Sequence, residues 1–414
     1  VTEAAPVVVD DSSAVPIWAR DTAFPAAPAG WGWVDPKDRR NSCGSFAALA
    51  EAIRQDTGSR ICLVWTPENP RMVLPEEVAA LKDDVNLARS RWTGADLEDS
   101  SAKLRWGLLV FAALFSWTFY HALAVRSGNS FSRLDQFRLA LKETLNNNTI
   151  EIGFLILTIF VLIPWYQAKK SSVEFRRRTP FSLAEAIPRM RFEIWLERQK
   201  SPFTWIFLAL MVVVGLAQLL PGDGTAAAGL DKIKYANGEG WRLFTAPFLH
   251  GNPIHFLMNA AALLYLGKRL EVFARWPHLP MVFLFSACVG GQASVHFTQA
   301  TSVGASGGLM GWLGFLLVFE TLHARLVPRS ARRRLAAAVF LTALIGLLGH
   351  RFIDNSAHVG GLLAGMLYAA IVFPKSSSVY RPQATSTDRI IGSLALAASF
   401  AAAAFAIWKI AAGA

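Results

Sequence analysis

Charge is scarce in this chain. Asp, Glu, Lys and Arg supply 17% of its 414 residues, where soluble domains carry about 25%. Cysteine is nearly absent. Cys43, Cys62 and Cys288 form no pair with metal-ligand spacing, and an odd count closes no disulfide framework. Neither a metal site nor a cofactor is expected. Cys288 lies in an apolar run, where it serves as a small packing residue. The opening "VTEAAPVVVDDSSAVPIWARD" has no basic segment followed by an apolar one, so no cleavable signal peptide is expected. A net charge of +11 raises the question of nucleic acid, but no basic stripe on a recognisable module accompanies it. The basic residues cluster instead between apolar runs, as they do in membrane loops.

What abounds is apolar sequence: 53% of the residues are hydrophobic and the mean hydropathy is +0.33. A spanning helix needs about 20 mostly apolar residues. Nine runs approach that length, near 105–125, 150–168, 203–220, 254–271, 279–298, 304–323, 335–350, 356–373 and 389–411. The fourth and sixth are the most polar, as expected of helices facing a bundle interior. The chain reads as an all-α polytopic membrane protein with a small N-terminal α/β soluble domain.

The loops set the orientation. Between the second and third runs lie nine Lys/Arg, between the sixth and seventh five Arg, and at the end of the fourth three Lys/Arg. All three fall on one side if every run crosses. The excess of positive charge places that side, and the N-terminus, in the cytoplasm. The loop at 126–149, with four basic residues, falls on the other side and weakens the bias slightly. Nine crossings put the C-terminus outside. The expected location is the plasma (inner) membrane of a bacterium.

Residues 1–40 read as a polar, poorly ordered lead-in. A small α/β unit follows at about 41–90. "GSFAALAEAIRQ" has helical spacing, "RICLVWT" is a strand candidate, and "LPEEVAALKDD" opens a helix with Pro near its start. No catalytic spacing is visible there, so residues 1–100 are expected to be an adaptor or regulatory region.

The chemistry gathers in the fourth, sixth and eighth runs. Gly304-Ala305-Ser306-Gly307-Gly308 matches the G-x-S-x-G turn of soluble hydrolases, but that turn needs a strand before it, and the flanks here are membrane-type. Gly304 with Gly308, and Gly307 with Gly311, are small-xxx-small pairs that bring backbones together. Gly361 and Gly365 form a matching pair in the eighth run, so helix packing alone accounts for the glycines. His358, three residues before Gly361, adds a costly group at membrane depth. The same glycines carry it towards Ser306, and an imidazole in reach can take a serine proton. In the fourth run, "FLHGNPIHFLMNAA" holds His250, His255 and Asn259. His255 and Asn259, four apart, share a helical face and can stabilise an oxyanion. The spacing of His250 and His255 is poor for a metal. His250 fits better as a partner of loop backbone.

From about 203 to 373 the chain resembles the rhomboid family of intramembrane serine proteases. The matching residues are Trp241-Arg242, "HxxxxHFLMN" at 250–259, Gly267 and Glu271 in "GKRLE", "GASGGLMG" at 304–311 and "AHVGGLLAG" at 357–365. The resemblance implies a Ser306–His358 dyad, with an oxyanion site of His255, Asn259 and the Ser306 backbone N–H. It implies structural roles near the site for Trp241, Arg242, His250 and Glu271. It also implies a six-helix core at 201–375, cleavage of transmembrane protein substrates in the bilayer, and no cofactor. Many members place an aromatic residue one turn after the serine to brace the histidine; here that position is Met310. Around the core lie two added helices and a basic linker (101–200) and a linker with a C-terminal helix (376–414). The alternative function is that of a non-proteolytic relative that binds membrane clients, in which the dyad would be expected to be lost. A transporter would show inverted repeats and paired carboxylates, and neither is found.

Overall fold

The computed structural model describes residues 15–56, 61–125, 132–177 and 180–413. The first fourteen residues of the lead-in and positions 126–131 of the second loop lie outside the described residues. The chain divides into two compact units. Among the described residues, one comprises 24–191 and 342–350; the other comprises 15–23, 192–341 and 351–413.

In the first unit, β1 (Trp31–Val34) is the centre of an antiparallel sheet, flanked by β2 (Arg40–Cys43) and β3 (Leu63–Trp65). The lead-in thus contributes β1 and the first residue of β2. Their hairpin is held by Asp35, whose carboxylate accepts the Lys37 and Arg39 N–H groups at 2.9 and 2.8 Å. α1 (Phe46–Arg54) starts at Ser45, whose hydroxyl caps the Ala48 N–H. It buries Leu49, Ala50 and Ile53 against Ile61, Val64 and Val85. The expected helix at 74–84 is instead two 3₁₀ turns over 75–81; the α-helix begins only at Lys82.

That helix, α2 (Lys82–Ala124), has 43 residues. At 1.5 Å per residue it is about 65 Å long, roughly twice the hydrocarbon thickness. Its first turns belong to the soluble core through Val85 and Ala88, and its second half is apolar. No break occurs at 100, so the packing on the sheet side and the apolar half lie on one continuous helix. α3 (Arg133–Leu145), α4 (Asn148–Leu157) and α5 (Ile163–Arg176) pack on α2. A π-helical segment joins α4 to α5, giving one long span. α6 is Pro180–Glu197.

The second unit is helical: α7 (Pro202–Ala217), the short α8 (Gly224–Ala228), α9 (Lys232–Ala236) and α10 (Arg242–Thr245), then α11 (Pro253–Ala274), α12 (His278–Phe297), α13 (Ser306–Leu322), α14 (Arg329–Leu348), α15 (Asn355–Val372) and α16 (Ser386–Ala412). α13 is central, packed on α12 and α15. Phe207, Phe283 and Trp312 fill its lower flank with ring centroids 5.1–5.8 Å apart. The Trp312 indole donates to the Leu279 carbonyl at 3.0 Å.

Among the described residues five helices are long and apolar enough to cross a membrane, and a bent pair ending in α7 makes a sixth. This is a multi-pass membrane protein. The other three expected runs fall outside that measure for local reasons. α11 carries Lys268, Arg269 and Glu271, α14 opens with an Arg-rich turn, and α13 has only 17 residues. At about 25 Å, α13 is shorter than a bilayer core of about 30 Å.

Residues 15–23 group with this second unit, not with the sheet. Trp18 is buried, donates its indole N–H to the Leu326 carbonyl at 2.8 Å and meets Phe192 edge-on.

Candidate active site

Asn252 starts α11 by accepting the His255 N–H on its side-chain oxygen at 2.8 Å, and Pro253 occupies the first helical position. His255 and Asn259 follow on one face. Both reach Gly304, which lies before α13 rather than in it and has φ +119°. A Cβ built on Gly304 would lie 2.5 Å from His255 Cε1, 2.8 Å from Nε2 and 3.4 Å from Asn259 Nδ2. Only glycine fits that backbone and that space. Asn259 is buried, and its amide nitrogen has no hydrogen-bond partner.

Two residues beyond Gly304, Ser306 opens α13. As the first helical residue it leaves its own N–H, with those of Gly307 and Gly308, without an intrahelical acceptor. α15 crosses at this end of α13. The carbonyl oxygen of Ala357 lies 3.6 Å from a Cβ position on Gly307, so the neighbours of Ser306 and His358 are in contact. Below them Gly361 sits against the Gly307 backbone and Gly365 against that of Gly311. Gly307 and Gly311 are therefore the pair that meets α15. Gly308 faces the Phe283 ring of α12, and Gly304, which precedes α13, meets the His255 and Asn259 side chains of α11 rather than pairing with Gly308. Among the described residues no hydrogen bond joins Ser306 Oγ to His358. Catalytic hydrogen bonds are often long before substrate arrives. Met310 is buried one turn below Ser306.

The other expected residues surround this centre. Arg242 is buried, donates to the Gly229 carbonyl at 2.7 Å and to Glu239 at 2.6 Å, and lies 4.5 Å from the Trp241 ring centre. Trp241 meets Phe405 of α16 edge-on. Together they brace the loop before α11. The backbone of His250 is clamped in both directions by the Gln218 side chain, at 2.9 and 3.0 Å. Burial, with His255 nearby, pushes the His250 imidazole down to about 3, so it is neutral at pH 7. Glu271 lies far from Ser306 along α11. It accepts the Phe203 and Thr204 N–H groups and the Thr204 hydroxyl, capping α7. Gly267 lets Thr204 and Trp312 close on α11.

Three features of this region are not among the expected site residues. Gln218 carries no motif signal. Arg269 and Glu320 form a wholly buried ion pair between α11 and α13; each charge stands out inside an apolar run, but only the packing shows that they pair. Asp354, one turn before His358, gathers several hydroxyls.

Residues 237–375 match the Rhomboid domain family. The chain carries a rhomboid domain in this segment. The rhomboid region resembles "Rhomboid protease GluP" of Bacillus subtilis (strain 168), 29% identical over 43% of this chain and 36% of that protein. It resembles "RHOMBOID-like protein 6, mitochondrial" of Arabidopsis thaliana, 37% identical over 36% of this chain and 49% of that protein. It also resembles "Inactive rhomboid protein 2" of Homo sapiens, 32% identical over 39% of this chain and 19% of that protein. The matched segments thus span half or less of each relative. Protease and inactive rhomboids both stand among them.

Proposed function

We propose that this rhomboid protein is an intramembrane serine endopeptidase in which Ser306 is the nucleophile and His358 the general base. The observation that supports the reading is the contact of Gly307, next to Ser306, with the carbonyl of Ala357, next to His358, together with an unpartnered Asn259 amide near Gly304. Ser306 Oγ attacks the scissile carbonyl carbon as its proton passes to His358. The carbonyl oxygen takes up the negative charge, and the Ser306 N–H, Asn259 Nδ2 and His255 donate to it. The helix N-terminus adds to that stabilisation. The tetrahedral species collapses, the amine leaves with the proton from His358, and water releases the acyl group by the same steps in reverse.

The substrates are transmembrane proteins, since Ser306 stands at the N-terminus of an apolar helix. The short α13 leaves Ser306 below the bilayer surface, where a polar cavity must admit water. The basic loops put the N-terminus in the cytoplasm and Ser306 towards the opposite face. The catalytic core is 201–375; residues 1–100, the helices of 101–200 and the segment 376–414 are accessory. A second reading, a client-binding protein without hydrolysis, is favoured by the missing Ser306–His358 hydrogen bond and by the likeness to an inactive relative. Incubating the purified chain with a tagged transmembrane substrate decides between them. The protease reading expects cleavage that Ser306→Ala and His358→Ala both abolish; binding without cleavage supports the second.

A further inference from the structure

A polar cluster lies one turn before His358. Asp354 caps α15, accepting the Ala357 N–H on Oδ1 at 3.0 Å, while its backbone carbonyl accepts the His358 N–H at 3.1 Å. Its other oxygen accepts the hydroxyl of Ser294, near the end of α12, and that of Ser302 at 2.5 Å. Thr298 Oγ1 donates to Oδ1 at 3.4 Å. Ser302 stands four residues before Ser306. Its backbone pairs with Leu230 in both directions, at 2.9 and 3.1 Å, and its oxygen accepts Lys232 Nζ at 2.6 Å.

One carboxylate therefore ties the loop that ends at Ser306 to the helix turn that presents His358. Burial pushes the Asp354 carboxyl up, but the Ser294, Ser302 and Ala357 hydrogen bonds and the Lys232 charge outweigh it and hold it below the usual carboxylate range. Asp354 is half-buried, and its charge is met by the hydrogen bonds of Ser294, Ser302 and Ala357, with Lys232 one hydroxyl away on Ser302. A carboxylate needed only as a helix cap would require one acceptor. Asp354 uses both oxygens, and the second serves the Ser306 side.

Resting on the dyad reading above, we infer that Asp354 is a positioning residue that, through Ser302, sets the spacing between Ser306 and His358. It touches no reacting atom. Its loss lets the Ser306 loop drift from α15, and a misplacement near 1 Å can cost about 10²-fold in rate.

The test uses the full chain in detergent. It measures kcat and KM on a tagged transmembrane substrate and the rate at which a fluorophosphonate labels Ser306. Asp354→Ala and Ser302→Ala should lower kcat and the labelling rate, up to about 10²-fold, with KM unchanged. Ser302→Thr, which keeps the hydroxyl, should recover most of the loss. The double variant should fall no further than Asp354→Ala alone, because both cut one link. Should Asp354→Ala fail to fold, the Ser302→Ala and Ser302→Thr pair decides the matter, since it changes only a loop hydroxyl. The positioning role is overturned by wild-type kcat in Ser302→Ala, by equal losses in Ser302→Ala and Ser302→Thr, or by losses that multiply. Failure of the dyad reading looks different: wild type itself is not labelled, or Ser306→Ala still cleaves, and the positioning role falls with it.

Discussion

Gly361 of α15 lies so close to Gly307 of α13 that a Cβ on Gly361 would stand 3.2 Å from the Gly307 α-carbon and 2.9 Å from its carbonyl carbon. That approach sets how near His358, three residues earlier, comes to Ser306. Gly361→Ala must push the helices apart. Overpacking of this kind costs typically 1–3 kcal/mol, and a shift near 1 Å would slow a Ser306–His358 reaction about 10²-fold. Thermal unfolding and labelling rates should both register it. Gly240, which has open space around it, is the control: Gly240→Ala should change neither. Wild-type rates in Gly361→Ala would show that the close approach is not needed.

The unpartnered Asn259 amide makes a second prediction. Removing one oxyanion donor costs about 10²–10³ in kcat, so Asn259→Ala should lose that much with its melting temperature nearly unchanged. No existing side-chain hydrogen bond of Nδ2 is broken. Kinetics equal to wild type would make Asn259 a packing residue.

Much of this site was legible in the sequence because helical periodicity is short-range. Glycines four apart in both α13 and α15, and His255 with Asn259 four apart, announce shared faces whatever the tertiary structure. What the sequence hid is long-range or irregular. Gly304 looks like the first residue of an apolar run, and nothing local says that the helix starts only at Ser306. Arg269 and Glu320 are 51 residues apart, so their pairing follows from packing alone. Trp31–Val34 has four residues, too few to display alternation, and it was hidden inside a polar lead-in.

The Arg269–Glu320 pair is wholly buried. Removing one partner strands a charge and costs about 3–5 kcal/mol, whereas replacing both by apolar residues of similar size is often neutral. Arg269→Met alone should therefore lower the unfolding midpoint sharply, and Arg269→Met with Glu320→Leu should recover most of it. A double variant less stable than the single would refute that ledger.

His250 makes stability depend on acid. Its folded value is about 3 against an ordinary 6.5. Above 6.5 both folded and unfolded chains hold it neutral, so nothing is lost. As pH falls from 6.5 towards 3 the unfolded chain takes a proton that the folded chain refuses, and stability drains away. His250→Gln keeps the backbone clamp by Gln218 and removes this titration. The melting temperature of wild type should therefore fall more than that of His250→Gln between pH 7.5 and 4.5. Parallel slopes would show that His250 is protonated without penalty in the fold.

The most direct measurement of the central claim is the site of covalent capture. The purified chain is treated with a fluorophosphonate, digested, and the modified peptide identified by mass spectrometry. The account predicts one phosphonyl adduct, on Ser306, that is absent from Ser306→Ala and strongly reduced in His358→Ala while both variants remain folded. An adduct on another residue, or none on Ser306 in a folded wild type that cleaves its substrate, would contradict it.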